Sequence, residues 1–290
     1  MTKISVVVVN FRTSSLLDRL IRSLDVDHEL IVVDNFSSER ELELVRGALP
    51  AGALLVQQDN VGFAAGVNAG VARARAENDV LVVNPDAWFA SESIGELQSL
   101  AHAENADVAS PLILSSGDGT IWFDGGRVLL RSLTVEHLGF GAVPADFPTI
   151  RETSFMSGCI MLISPAARRA LFPLREDLFL YYEDVDLSLR AQSLGMCLLV
   201  VRSAVAFHDE GGASSSDVGR RSAGYYFYQS RNRLILAREL RSARALIATP
   251  LVSARLIARI FRREDKRSLK SRAVVQGVVA GLRGRKVRFE

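Results

Sequence analysis

I-S-V-V-V-V-N-F-R-T-S-S-L-L-D-R-L-I-R-S-L-D-V-D-H-E-L-I-V-V-D, residues 4–34, changes period twice. Ile4–Val9, built on the apolar stretch Val6–Val9, reads as a strand. Ser14–Leu24 then sets Leu16, Leu17, Leu20, Ile21 and Leu24 at helical spacing. Leu30–Val33 returns to a strand-like run and stops at Asp34. The alternation continues outward. Glu39–Leu49 reads as helix, Leu54–Gln57 as strand, and Gly66–Ala76 as a helix rich in small residues. Asp79–Val83 is a fourth strand running into Asn84-Pro85-Asp86, Ser93–Glu104 is helical, and Val108–Ser110 begins another strand. This order predicts an α/β fold, a mostly parallel twisted sheet flanked by helices with right-handed crossovers. Ligands in such sheets bind beyond the carboxyl ends of the strands. Asn10, Asp34, Asn60 and Asp86 collect at those ends.

The second half is less regular. Ser115–Thr153 is rich in Gly, Ser and Pro and reads as hairpin or irregular structure, a lid or acceptor surface with Trp122, Phe123 and Phe140 exposed. Cys159–Ser164 and Leu198–Phe207 read as strands and Gly224–Arg241 as a helix. At 290 residues, 48% hydrophobic and 23% charged, the chain has the balance of a globular domain with an appendage. Cys159 and Cys197 are too few for a disulfide framework and lack the partners for zinc, so both read as reduced core thiols in a cytosolic protein. No apolar run is long enough to span a membrane.

Charge divides the chain. Residues 241–290 carry 14 Lys/Arg against 3 Asp/Glu, so the net +2 splits into +11 there and −9 before it. The expected division is a catalytic body over 1–240 and a basic, helical extension over 241–290. Within Ala245–Phe261, Leu246, Ile247, Val252, Leu256, Ile257, Ile260 and Phe261 lie among Arg244, Arg255, Arg259 and Arg262. Such a helix suits an anionic membrane surface, with Pro250 expected to break or kink it. The competing reading is a helix packed on the body with a solvated basic face. One aromatic before Phe289 is thin for base stacking, so no nucleic-acid partner is expected.

Four segments carry chemistry. N-V-G-F-A-A-G-V-N-A-G, Asn60–Gly70, repeats glycine every four residues and allows close approach of a ligand or, equally, of the sheet. Asp86 of Asn84-Pro85-Asp86 can hold a hard cation against a diphosphate, or cap a helix. In F-L-Y-Y-E-D-V-D-L, Phe179–Leu187, crowding of Glu183, Asp184 and Asp186 beside aromatics favours a raised carboxylate pKa, hence a base. The same triplet also suits the acidic first turn of a helix. His208 stands just past an apolar strand in A-F-H-D-E-G-G-A-S.

Taken in order with V-V-V-V-N-F (Val6–Phe11), V-V-D-N-F-S-S (Val32–Ser38), S-G-C-I-M-L-I (Ser157–Ile163) and S-R-N-R (Ser230–Arg233), these segments resemble the family 2 glycosyltransferases of the GT-A fold, most of all the rhamnosyltransferase-like branch. The resemblance covers about residues 3–235. It implies a GT-A fold and a metal-dependent, inverting transfer of a sugar, with rhamnose favoured, from a dTDP- or UDP-sugar. The acceptor would be a saccharide or polyprenyl-linked saccharide, as in cell-wall polysaccharide biosynthesis at the inner membrane face. By the same resemblance Asn10, Asp34, Asn60, Gly62, Asn84 and Arg231 face the donor. Asp86 and His208 hold Mg²⁺ or Mn²⁺, Asp184 is the catalytic base, and Glu183 shapes the acceptor site. Asn232 accompanies Arg231. One departure is Asn84 where many relatives have a first aspartate, which leaves a single strong carboxylate for the metal.

Three rivals remain at this stage. A nucleotidyltransferase needs a Gly-rich first turn with Arg and Lys, yet 10–15 offers Arg12 alone. A dinucleotide-dependent dehydrogenase needs the glycine fingerprint that this turn lacks. A catalytically silent nucleotide-sugar-binding paralogue or partner subunit is opposed by the intact Glu183-Asp184.

Overall fold

The structure is a computed structural model that describes residues 3–36, 38–145, 148–209, 215–217, 220–285 and 287–289. Its first half follows the alternation read above: β1 (Ile4–Asn10), α1 (Ser14–Arg22), β2 (His28–Phe36), α2 (Glu39–Ala48), β3 (Leu54–Asp59), α3 (Phe63–Val71) and β4 (Asp79–Val83). Then come β5 (Ala87–Phe89), α4 (Ser93–Ala103), β6 (Val108–Ser115), β7 (Ile121–Phe123), β8 (Gly126–Leu129), β9 (Thr134–His137) and β10 (Ile150–Glu152). β11 (Ile160–Ile163), α5 (Pro165–Leu171), α6 (Glu183–Ser193), β12 (Leu198–His208), β13 (Ser215–Asp217) and β14 (Arg220–Arg221) follow. The chain closes on α7 (Ala223–Glu239), α8 (Ala243–Ile247), α9 (Thr249–Arg263) and α10 (Arg267–Leu282).

The main sheet runs β10-β12-β6-β11-β4-β1-β2-β3, with β5 on β12 and β7 on β6. β4, β1, β2 and β3 are parallel throughout. β1 and β4 are buried at every residue, which is why Val6–Val9 and Val80–Val83 are continuously apolar rather than alternating. The sheet is extended by β11, antiparallel to both β4 and β6. β12 returns parallel to β6. An Ile-Met-Leu-Ile run carries no record of its direction, so this reversal is a product of tertiary context. Its effect is local to the site: Ile160 pairs with Val83, and Asn84 N–H donates to Cys159 O at 2.9 Å, so the S-G-C segment enters beside Asn84-Pro85-Asp86.

α3 lies close on the sheet because Gly66 and Gly70 have no side chain. A Cβ at Gly70 would stand 2.4 Å from Val7 Cγ1, and one at Gly66 2.7 Å from Val9 Cγ1. For these two glycines the packing reading holds.

Phe123 is a correction. It is fully buried, not exposed, because β7 pairs with β6 and carries its ring into the core beside Phe155. Trp122 is half-buried, and Phe140 is exposed as expected, at 60%. Pro250 is a second correction. It occupies the first turn of α9, where its missing N–H costs nothing, so it starts the helix instead of breaking it.

The basic extension is firmly attached at its end. A Cβ at Gly277 would meet Phe227 O at 2.3 Å, and one at Gly281 Arg231 O at 2.6 Å, so α10 touches the α7 backbone directly. Lys270 is buried with Glu264 at 2.8 Å, and Tyr226 OH donates to the same carboxylate at 3.0 Å. α9 buries Ile260 but leaves Leu251 and Phe261 more than half exposed beside exposed Arg255, Arg259 and Arg262. Among the described residues no helix is long and apolar enough to cross a membrane. Cys159 and Cys197 are both free thiols, and each immediately precedes a strand.

Candidate active site

The site stands over the carboxyl ends of β1, β2 and β4. Asn10 and Asp34 are register partners at the ends of β1 and β2, and both are fully buried. Asn10 Nδ2 donates to Asp34 Oδ1 at 2.7 Å, while Asn10 Oδ1 accepts from Thr13 N and Oγ1 at 3.3 and 2.8 Å, turning the chain into α1. Burial pushes the Asp34 carboxyl above its usual range, against the hydrogen bond from Asn10. Its Oδ2 has no partner among the described residues.

Thr13 belongs to the wall of a cavity of about 200 Å³ that Asn60, Gly62, Asn84 and Asp86 also line. Four of the expected donor and metal residues thus share one cavity. Asn10 and Asp34 lie behind Thr13 and not in its wall. Arg231 is elsewhere, buried beneath the 177–181 loop.

β12 pairs with β5 so that His208 faces Ala87, which brings the histidine to Asp86. His208 Nε2 is 3.4 Å from Asp86 Oδ1, and the Trp122 ring packs on the imidazole at 4.3 Å. Asp86 Oδ1 and His208 Nδ1 are buried and lack hydrogen-bond partners among the described residues. One carboxylate and one imidazole fit a divalent ion whose remaining positions are filled by phosphate oxygens. Among the described residues no group of three His, Cys, Asp or Glu could hold a metal unaided.

The loop before α6 is backbone-strained. Phe179, Tyr181 and Tyr182 have φ of 65°, 65° and 74°, a region bulky residues seldom adopt. Two motifs grip it. From one side Phe63 N–H donates to Phe179 O at 2.7 Å, and Gly62, at φ 107°, leaves the only space: a Cβ there would sit 2.3 Å from that oxygen. From the other side Arg231 Nη2 donates to Leu178 O at 2.6 Å. Asn232 Nδ2 lies 3.0, 2.9 and 2.7 Å from the carbonyls of Leu178, Leu180 and Tyr181.

The loop delivers Glu183 and Asp184 into the first turn of α6, where the macrodipole favours carboxylates. Asp184 Oδ1 accepts from Val185 N–H at 2.8 Å and Oδ2 from Gly158 N–H at 3.4 Å. Burial lifts the Asp184 carboxyl to about 6, with those backbone bonds opposing. Glu183 is only 5% exposed, and burial followed by the charge of Asp184 holds it well above the carboxylate range. Near neutrality the pair therefore carries its charge on Asp184. Asp186 is engaged otherwise, ion-paired to Arg190 at 2.7 Å.

Asp184 opens on a second cavity, of about 290 Å³, whose wall includes Tyr181, Tyr225 and Arg233 and, from α9, Val252 and Leu256. Tyr181 lines both cavities. Sequence reasoning missed Tyr181, Arg233 and the α9 contribution. The S-R-N-R segment includes Ser230 and Arg233, but the resemblance gives roles only to Arg231 and Asn232.

Residues 5–164 match the profile of glycosyl transferase family 2, and the chain belongs to that family. It is similar to the low-salt glycan biosynthesis hexosyltransferase Agl10 of Haloferax volcanii, with 26% identity over 68% of this chain and 65% of that protein. It is also similar to the N-acetylglucosaminyl-diphospho-decaprenol L-rhamnosyltransferase of Mycobacterium tuberculosis, with 25% identity over 76% of this chain and 80% of that one. The chain thus spans a little under two thirds of the first of these relatives. Among solved structures it shares its GT-A fold with GalNAc-T7, crystallised with UDP, GalNAc and Mn²⁺. There the TM-score is 0.63 and the identity 16%, over 82% of this chain and 48% of that one. It shares it too with residues 1–349 of S. aureus TarS, at a TM-score of 0.55 and 14% identity over 97% and 81%.

Proposed function

We propose that the chain is an inverting glycosyltransferase that moves a sugar from a nucleoside-diphosphate donor to a hydroxyl of a saccharide or polyprenyl-linked saccharide. One observation carries this reading. A cavity bearing Asp86 and a cavity bearing Asp184 share Tyr181 as a wall, so two substrates can meet there with a cation site on one side and a base on the other. Binding two reactants side by side supplies the orientation that a bimolecular transfer requires.

The roles of the residues follow. Asn60, Gly62, Asn84 and Thr13 enclose the donor, and the Asn10–Asp34 pair sets the floor behind them. Asp86 and His208 would hold Mg²⁺ or Mn²⁺ together with the diphosphate. When bound, that ion stabilises the negative charge of the departing nucleoside diphosphate. Asp184, ionised above about 6, accepts the proton of the attacking hydroxyl. Glu183, held neutral, keeps a second charge away from it. Attack from the face opposite the leaving group inverts the anomeric centre. Arg231 and Asn232 act as positioning residues that fix the strained loop.

A dTDP- or UDP-sugar is the expected donor, with rhamnose the first candidate because one relative bears that activity in its name. Residues 1–240 serve as the catalytic body. The exposed face of α9 rests on an anionic, cytoplasmic membrane surface, where a polyprenyl-linked acceptor resides. Asp184→Asn tests the reading: sugar transfer falls by roughly 10²–10⁴-fold while donor affinity stays within about twofold. A variant that keeps its transfer removes Asp184 as the base, and a wild type without transfer in the presence of donor, metal and acceptor points to a silent binding paralogue.

A further inference from the structure

Among the polar groups of the second cavity that base chemistry does not use, two stand out. Ser230 and Arg233 stand three residues apart on α7 and so share a helix face. Both line the cavity, and they are only 3% and 2% exposed. A helical serine ordinarily satisfies its hydroxyl on a carbonyl of the preceding turn. Ser230 Oγ instead has no partner among the described residues.

Arg233 is equally unusual for a buried cation. Its Nη1 donates to Ser132 O and Ala245 O at 3.0 and 3.1 Å, and its Nη2 to Thr249 Oγ1 at 2.9 Å. All three acceptors are neutral. No carboxylate pairs with it among the described residues, whereas buried Arg202 is met by both oxygens of Asp124 at 2.7 Å. A guanidinium has five N–H donors, so Nε and one hydrogen of Nη2 are left for something else. Among the described residues Asp184 is the only carboxylate in the cavity wall, and its oxygens take backbone N–H groups instead. Burial pushes His137, also in the wall, toward its neutral form. Val252 and Leu256 on α9, with Ser253 between them, and Val278 on α10 supply most of the wall from the two last helices.

We propose that Ser230 and Arg233 form an anion-holding subsite beside the base, and that the acceptor carries a phosphate ester there. A buried cation without a carboxylate, next to an unpartnered hydroxyl, is completed by a tetrahedral oxyanion that accepts from both. Val252, Leu256 and Val278 suit the hydrocarbon side of such an ester. The acceptor half of this inference rests on the transferase reading; the anion site does not. A phosphate ester can come from a lipid-linked sugar or from a soluble sugar phosphate.

The test is calorimetric titration of the full chain with octyl phosphate, glucose 1-phosphate and neutral octyl glucoside, with the donor cavity filled by UDP or dTDP and Mn²⁺. At least one phosphate ester binds about tenfold or more tightly than octyl glucoside, and Arg233→Gln and Ser230→Ala each weaken it about tenfold. Tighter octyl phosphate supports a lipid-linked acceptor, and equal or tighter glucose 1-phosphate a soluble one. Arg233→Gln removes a brace between α7, α8 and α9 and can cost stability. Ser230→Ala removes only an unpartnered hydroxyl, so its thermal midpoint holds or rises while phosphate affinity falls. Wild type that binds neither ester more tightly than octyl glucoside, or a folded Ser230→Ala that binds phosphate like wild type, overturns the subsite. Nucleoside-diphosphate binding in that same protein leaves the transferase reading standing, whereas phosphate binding without any nucleotide binding does the reverse.

Discussion

Asp184 suits the proposed role of base because its surroundings are unfavourable for its charge. Burial lifts its pKa to about 6, close to the working pH, and keeps Glu183 protonated beside it. The base is needed ionised, so transfer rate rises with pH through about 6 and levels off above it. A pH profile of kcat/KM checks this, and Asp184→Asn abolishes that limb. The same shift has a stability consequence with the opposite sign. A carboxyl whose folded pKa exceeds its unfolded value loses stability as pH rises between the two. Asp184→Asn therefore raises the thermal midpoint at pH 8, and the gain shrinks as pH falls toward 4. This is a trade of stability for activity. On the metal side, His208→Ala or Asp86→Asn weakens Mn²⁺-dependent nucleotide binding about tenfold or more, read as loss of the Mn²⁺-induced shift in nucleotide Kd. Much of this layer was legible in the chain, because Glu183-Asp184 and Asn84-Pro85-Asp86 are short local patterns. The place of Arg233 and Ser230 beside Asp184 was not, although both stand in the quoted S-R-N-R segment, since only the packing of α7 brings them to Asp184, about fifty residues earlier.

The elements matter through the loop they hold. Phe179–Tyr182 adopts backbone conformations that aromatic residues resist, and α3 from one side and α7 from the other supply the restraint. Gly62→Ala forces a methyl onto Phe179 O at a positive φ. The expected cost is roughly 1–3 kcal/mol from overpacking, measured by urea denaturation, and a displaced Asp184 lowers transfer as well. Asn232→Ala removes the side-chain donor from the carbonyls of Leu180 and Tyr181, leaving Leu178 O to Arg231, and lowers kcat more than it changes donor KM. The glycine spacing of Asn60–Gly70 left two readings open in the sequence, sheet packing and close approach at the site. The packing reading holds at Gly66 and Gly70, which lie against β1, while Gly62 is set apart by its close approach to the Phe179 carbonyl and its place in the wall of the first cavity. Phe123 was misread because a Gly- and Ser-rich context masks a three-residue strand that buries its ring.

At the scale of the molecule, the parallel half of the sheet followed from alternating periods, while antiparallel β11 did not, because an apolar run does not encode its direction. The basic extension proves to be two things. α10 is part of the folded body, bound to α7 through Gly277 and Gly281, and α9 turns one face to the cavity beside Asp184 and the other, basic and apolar, outward. Deleting residues 241–290 would strip α7 and could not isolate membrane binding. Arg255→Glu with Arg262→Glu changes only exposed positions. In vesicle sedimentation it lowers binding to anionic liposomes several-fold, leaves neutral liposomes unaffected and keeps the thermal midpoint within about two degrees. Equal binding by the variant would remove the membrane from the account.

The central claim is that the Asp86 cavity holds a nucleotide sugar with a divalent cation. Calorimetric titration of the full chain with UDP- and dTDP-sugars, with and without Mn²⁺, tests it most directly. The account expects one donor to bind, at least about tenfold more tightly with Mn²⁺, and the gain to vanish in Asp86→Asn. Binding to none of the donors with Mn²⁺ present, or binding indifferent to Mn²⁺ and to Asp86→Asn, would contradict it.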